Sequence, residues 1–308
     1  MKIRGFREED RSAVMRLWRE VGWIEDEVPK EEDVLDFIRS GRAVVAEIEG
    51  EAEAVATTMR GGMNTGAAEL PFTGVTSVMT GRVARKSGAA GAATAQAVAE
   101  EAAAGAAVAA LGMFEQGYYN RLGFGTGSYE HFFSFDPATL TVSPGGRTAR
   151  RIAPEETEAV HAARKVRIRP YGGINLDPPA STRLAIAETK NSFGLGFEEG
   201  GELTHLLWAD AKGEYGPYTI SFMAYRSLPQ LIELLGVLKS LEDQVRLVKM
   251  IEPAGFQLQD LLEKPFGRQT VTRGGKYENS ITAEAYWQLR ILDLERCVAA
   301  LPLLRSEP

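Results

Sequence analysis

The segment Gly74-Val75-Thr76-Ser77-Val78-Met79-Thr80-Gly81-Arg82-Val83-Ala84-Arg85-Lys86-Ser87-Gly88-Ala89-Ala90 holds the residue types best suited to chemistry in this chain. Its first part, 75–78, reads as a strand. The strand empties into a basic turn punctuated by Gly81 and Gly88, and the turn opens an alanine-rich helical stretch at 88–105. Backbone N–H groups at such a helix start lack intrahelical acceptors and form an anion site. Arg85 and Lys86 add positive charge, and Gly88, Ala89 and Ala90 let an anion approach the backbone. The chemistry expected is recognition of a pyrophosphate-bearing cofactor. The plainer reading of the same residues is a strand–turn–helix with a basic turn, and the alanine stretch also fits a low-complexity helix.

Arg85-Lys86-Ser87-Gly88-Ala89-Ala90 resembles the Arg/Gln-x-x-Gly-x-Gly/Ala signature of the GNAT superfamily of acetyl-CoA-dependent N-acetyltransferases. Downstream, Glu115-Gln116-Gly117-Tyr118-Tyr119-Asn120-Arg121-Leu122-Gly123-Phe124-Gly125 resembles the Glu-x-Gly-x-Tyr-x-Arg-x-Gly-Phe/Tyr-Gly stretch of its Eis (enhanced intracellular survival) branch. Leu238-Lys239-Ser240-Leu241-Glu242-Asp243-Gln244-Val245 and Trp287-x-x-Arg290-Ile291-Leu292-Asp293-Leu294 are similar to the same branch. The resemblance therefore spans nearly the whole chain.

That resemblance implies an α/β (α+β) chain of tandem GNAT acyl-CoA N-acyltransferase folds, each a mixed central sheet flanked by helices. It implies acetyl-CoA as cosubstrate and direct attack by a primary amine. Arg85, Lys86, Ser87, Gly88, Ala89 and Ala90 would bind the pyrophosphate, and the backbone of Val78, Met79 and Thr80 would meet the thioester carbonyl. Strand 74–80 would splay from its neighbour to admit the pantetheine. Tyr119, not Tyr118, would protonate the departing thiolate. A phenol of ordinary pKa about 10 is protonated at neutral pH and can donate in this way. On its residues alone, a tyrosine in a turn packs its ring and keeps its hydroxyl in water. Glu25, Asp26 and Glu115 are candidates for the base that deprotonates the amine, although the plainer reading of each is a surface acid or cap. The Pro308 carboxylate is a further candidate.

Composition narrows the alternatives. The chain has 308 residues, 44% hydrophobic and 25% charged, enough for one large or two medium domains. A single cysteine, Cys297, excludes an intramolecular disulfide. His131, His161 and His205 are scattered, so no metal site is expected. A Gly-x-Ser-x-Gly elbow is absent from the sequence. Gly123-x-Gly125-x-Gly127 precedes an aromatic, strand-like run at 129–135, which excludes a dinucleotide fingerprint. The formal net charge of −7 argues against a nucleic-acid partner and suits a cationic acceptor: a lysine side chain, a polyamine or an aminoglycoside-like amine. Met1-Lys2-Ile3-Arg4 leads into charge, and no stretch has the length and purity of a membrane span. A cytoplasmic protein with no membrane partner is expected, and the resemblance implies a homo-oligomer, trimer or hexamer.

The elements that position these residues follow from periodicity. Strands are expected at 2–6, 42–49, 52–59, 74–80 and 107–114, with helices at 7–21, Glu31–Ser40 and 88–105. Residues 60–73 read as loop. The Thr141-Val142-Ser143-Pro144-Gly145-Gly146 stretch reads as a linker. Beyond it lie strands at 148–152, 203–209, 218–224 and 245–250, and helices at 155–167, 181–191, 229–241 and 257–263. The expected domains are a catalytic GNAT domain at 1–142, a non-catalytic GNAT-like domain at 147–280, and the start of a truncated sterol-carrier-like domain at 281–308. The alternative to an acetyltransferase is a CoA-binding or scaffold protein without turnover.

Overall fold

The computed structural model describes residues 1–25, 28–115, 117–188, 191–263 and 275–301. In chain order the elements are β1 (Lys2–Gly5), α1 (Arg11–Glu20), α2 (Glu31–Ser40), β2 (Arg42–Ile48), β3 (Glu51–Asn64), β4 (Glu69–Thr80), α3 (Ala89–Ala103), β5 (Val108–Gly112) and β6 (Gly125–Thr126). Next come β7 (Glu130–Phe135), β8 (Arg150–Ile152), α4 (Thr157–Lys165), β9 (Ile174–Leu176), α5 (Ala180–Ala187), β10 (Ser192–Glu199), β11 (Glu202–Ala211) and β12 (Tyr218–Ala224). Then follow α6 (Leu228–Lys239), β13 (Val248–Ile251), β14 (Ser280–Glu284), β15 (Trp287–Ile291) and α7 (Leu294–Ala300).

The chain folds as two units that interleave along the sequence. The first holds Met1–Ser128, Pro170–Leu184 and the described part of Tyr286–Pro308; the second holds Tyr129–Arg169 and Ala185–Ala285. The first sheet runs β1-β2-β3-β4-β5-β15-β6, with β9 on the far half of β3. Its β4–β5 pair is parallel and its other pairs are antiparallel. The second sheet runs β14-β7-β13-β12-β11-β10-β8, again with one parallel pair, β12–β13. Contacts therefore cut across the contiguous ranges read from the sequence. A strand's sheet is decided by its hydrogen-bonding partners, which the alternation of its own residues does not encode.

In the first unit, helical spacing buries Val14, Leu17 and Trp18 of α1 and Val34, Leu35 and Ile38 of α2 against Val45, Val55 and Met79. On the opposite face, Ala89, Ala93 and Ala97 of α3 pack on Val44, Ala46, Ala54 and Ala56. Small residues on both sides let this helix sit close to the sheet. In the second unit, α6 covers one sheet face through Leu231, Leu234 and Leu235. Val160 and Ala163 of α4 cover Leu206 and Trp208 on the other.

One expectation fails, and one strand falls where none is expected. Residues 60–73 are mostly strand: β3 continues to Asn64 and β4 begins at Glu69. Residues 192–199 are β10, which the periodicity did not reveal. In both places a glycine makes room for a close neighbour. A Cβ on Gly61 would stand 1.8 Å from the Asn175 carbonyl oxygen of β9, and one on Gly194 would stand 2.4 Å from the Trp208 ring.

Candidate active site

The site is built around an irregularity in β4. Val55 pairs with Met79 and Thr57 with Thr76, so Ser77 and Val78 together face Ala56 alone. Ser77 takes φ +47°, outside the ordinary strand region. Such a bulge bends its strand and re-aims its backbone groups. Pairing between β4 and β5 also stops at Gly74–Ala110, although β4 runs on to Thr80 and β5 to Gly112. Beyond Gly74, β4 thus has a strand partner only on its β3 side among the described residues. This is the splay that the resemblance implies.

The turn after β4 is held at both ends. The Gly81 N–H donates to the Glu53 carbonyl at 2.8 Å, and the Arg82 N–H to the Glu20 carboxylate at 2.7 Å. Ala84 is buried and its carbonyl accepts from the Ser87 hydroxyl at 2.7 Å. Lys86 at φ +63° and Gly88 at φ +82° flank Ser87, and Gly88 caps α3 without a side chain. The Ala89 N–H reaches the Ser87 hydroxyl at 3.3 Å. The N–H groups of Gly88, Ala90 and Gly91 have no acceptor among the described residues. Arg85, Lys86, Ser87 and Gly88 are exposed, and neither cation has an acidic partner among the described residues. Free N–H groups, two exposed cations and a helix start are the features that an anion-binding turn offers.

Tyr119 opens a short 3-10 turn after β5 and is 3% exposed. Its ring packs among Val75, Val98, Ala109, Leu111 and Phe124, between β4, α3 and β5. Tyr118 meets it edge-on, with ring centroids 4.8 Å apart. The Tyr118 hydroxyl lies 3.6 Å from where a Cβ on Gly91 would stand, at the first turn of α3. Burial pushes the Tyr119 phenol well above the ordinary tyrosine range, with Tyr118 adding to it. Burial also raises Tyr118, helped by the Glu115 charge.

The structure thus brings together Val78, Thr80, the 85–90 turn and both tyrosines. Met79 can offer only its backbone there, because its side chain is buried with Trp18 and Val55 on the opposite face. Glu25 and Glu115 are exposed. Glu25 exchanges backbone hydrogen bonds with Val28, and Asp26 and Pro308 lie outside the described residues. Sequence reasoning missed Arg16, Glu20 and Glu53 beneath the turn. The i,i+4 spacing of Arg16 and Glu20 was the one available signal. A depression of about 320 Å³ over α1 and α2 is a different place. Arg11–Glu31 and Arg183–Asp36 pairs compensate its charge, so it reads as solvated surface.

Among the described residues, the second unit has no comparable turn. β12 passes into α6 through Tyr225-Arg226-Ser227, with Pro229 in the first helical turn. Tyr225 is covered there: its carbonyl accepts from the Ile168 N–H at 2.8 Å and its hydroxyl donates to the Ala254 carbonyl at 2.9 Å.

A family model for acetyltransferase (GNAT) domains matches residues 2–127, which contain the bulged strand, the turn and both tyrosines. Residues 2–127 are therefore similar in sequence to a GNAT acetyltransferase domain. No curated protein matches the chain by sequence. Among solved structures, Eis1 from Mycobacterium abscessus matches with TM-score 0.73 and 17% identity, over 98% of this chain and 76% of that one. A GCN5-related N-acetyltransferase from Kribbella flavida matches with TM-score 0.71 and 19% identity, over 97% and 73%. A conserved protein from Enterococcus faecalis V583 matches with TM-score 0.76 and 15% identity, over 95% and 73%. At these identities the matches establish the fold. The GNAT fold is present in tandem, two mixed α/β sheets flanked by helices.

Proposed function

We propose that this chain is an N-acetyltransferase that moves an acetyl group from acetyl-CoA to a primary amine by direct attack. One observation carries the reading. The unaccepted N–H groups and free cations of the turn sit where β4 has lost its β5 partner. A ligand with an extended amide arm and a pyrophosphate fits both features at once. The receptor offers donors only, as a pyrophosphate needs, and the open edge of β4 offers the backbone pairing an amide arm uses.

In this reading Arg85, Lys86, Ser87 and the N–H groups from Gly88 onward hold the pyrophosphate. The β4 backbone at Val78–Thr80 polarises the thioester carbonyl, and preorganised donors are most effective where charge develops. The amine forms the new C–N bond as the C–S bond breaks. Tyr119 gives its proton to the departing sulfur, and the amine's surplus proton leaves to water or an exposed carboxylate such as Glu25 or Glu115. Holding both reactants in line supplies much of the acceleration. The acceptor class is a lysine side chain, a polyamine or an aminoglycoside-like amine. The second unit is read as a non-catalytic copy, and the assembly as a homo-oligomer.

Thiol release from acetyl-CoA across a panel of polyamines, lysine peptides and aminoglycosides tests the enzyme. Calorimetric titration with CoA tests the site, with one CoA per chain expected. CoA binding with no turnover across the panel would establish a binding protein instead. Two equivalent CoA sites would overturn the assignment of the second unit.

A further inference from the structure

The proposed phosphate turn is held from outside by the end of α1. Glu20 is the last residue of that helix. A carboxylate there opposes the helix dipole, so its placement does not serve the helix. It serves two other groups instead. One carboxylate oxygen accepts the Arg82 N–H at 2.7 Å, and the other accepts from Arg16 at 3.1 Å. Arg16 is itself fixed by the Glu53 carboxylate at 2.9 Å and the Ala52 carbonyl at 3.1 Å. Glu53 is the extra residue of a bulge in β3, where Ala46 pairs with Ala54 and Glu47 with Ala52. The bulge brings Glu53 beneath Gly81: a Cβ on Gly81 would stand 2.2 Å from its free oxygen. The Arg82 N–H, with Arg16 behind it, holds the Glu20 carboxyl below the usual carboxylate range against partial burial.

The segment that receives the anion has little burial of its own, because Arg82, Val83, Arg85, Lys86, Ser87 and Gly88 are all exposed. A turn without burial must be ordered by tethers or pay for ordering when its ligand binds. We propose that Arg16 and Glu20 are positioning residues for acetyl-CoA: the α1 ion pair fixes the Arg82 N–H and thereby presets the basic turn. This rests on the acetyl-CoA reading above.

The test is a double-mutant cycle on the full chain, read by CoA calorimetry and by kcat at saturating acetyl-CoA. Glu20→Ala raises the Kd for CoA about tenfold and leaves kcat unchanged, the scale of one lost charge-assisted hydrogen bond. Arg82→Pro removes only the N–H from the tether, at the first position of a 3-10 turn preceded by Gly81 at ψ 154°, which suits a residue before proline. In the Arg82→Pro background, Glu20→Ala causes no further loss. Arg16→Met, which leaves Glu20 in place but unbraced, raises the Kd by a smaller factor and stands in should Glu20→Ala misfold. An unchanged Kd for Glu20→Ala and Arg16→Met, or an equal loss from Glu20→Ala in both backgrounds, overturns the proposal. A parent chain that binds no CoA overturns the functional reading itself. A parent that binds, with the variants unaffected, overturns only the tether.

Discussion

Tyr119→Phe separates chemistry from packing at the proposed general acid. The Tyr119 ring is 3% exposed and meets Tyr118, Phe124 and Phe114 edge-on, at centroid distances of 4.8, 6.1 and 6.4 Å. All three contacts survive in phenylalanine. The hydroxyl makes no hydrogen bond among the described residues, so removing it orphans no partner. Stability is therefore expected to stay within about 0.5 kcal/mol, a melting shift of about 2 °C or less. Catalysis behaves differently. Losing the proton donor to the thiolate lowers kcat by about 10²-fold, or about 2.7 kcal/mol, with little change in KM for acetyl-CoA. The neighbour gives the contrast. The Tyr118 hydroxyl stands at the first turn of α3, beside the proposed pyrophosphate. Tyr118→Phe keeps kcat and raises KM for acetyl-CoA a few-fold. The assay is thiol release at varied acetyl-CoA with saturating amine, beside thermal melts of both variants. If both turn over like the parent, or both lose kcat equally, the division of labour between the two phenols is wrong.

Gly88→Glu places a negative charge in the anion receptor and a side chain at φ +82°, where nothing lies within 4 Å. Left-handed strain of about 1–2 kcal/mol plus repulsion lowers CoA affinity more than about tenfold, and unchanged calorimetric binding would remove the turn from the site. Gly194→Ala forces a Cβ to within 2.4 Å of the buried Trp208 ring and costs about 1–3 kcal/mol in urea unfolding; a neutral result would show that β10 can shift aside. Burial, as the largest cause, lifts both Tyr119 and Tyr225 above the ordinary value of 10.0. The folded state then holds these protons more tightly than the unfolded one. Their contribution is complete below about pH 10 and declines as pH rises past it, so the urea midpoint falls between about pH 10 and 11. A midpoint that rises over that range contradicts the assignment.

Much of the first unit is legible in local sequence. The α2 bounds Glu31–Ser40 follow from acids in its first turn and Gly41 after its last. The turn proposed to hold the cofactor follows from glycine and charge between a strand and an alanine helix. What local sequence does not carry is partnership. Nothing in the aromatic alternation of 130–135 says that β7 pairs with β13 and β14 in the second sheet. Nothing in Trp287–Ile291 says that it lies between β5 and β6 of the first. The Gly61 and Gly194 positions are opaque in the same way, because a glycine that admits another backbone or a tryptophan ring is indistinguishable from a loop glycine without its neighbour. The tether from Glu20 to Arg82 is likewise long-range and invisible to any local window.

The two sheets allow an internal comparison that explains why one unit is the candidate enzyme. Each places its single parallel pair after a run of antiparallel strands, and each follows the fourth strand of that run with a helix. In the first unit the connection is long, basic and left-handed at Lys86 and Gly88, and it begins the helix with unaccepted donors. In the second it shrinks to Tyr225-Arg226-Ser227. Proline stands in the first helical turn, and the Gln230 side chain accepts the Arg226 N–H at 2.7 Å. That side chain takes the Arg226 N–H and proline has none to give, so two donors that an anion could use are withdrawn. The same fold therefore carries a long basic connection in one unit and a three-residue, proline-bearing connection in the other. The difference lies in the length and chemistry of one turn, so giving the second unit the proposed site would require rebuilding that turn rather than changing any single side chain.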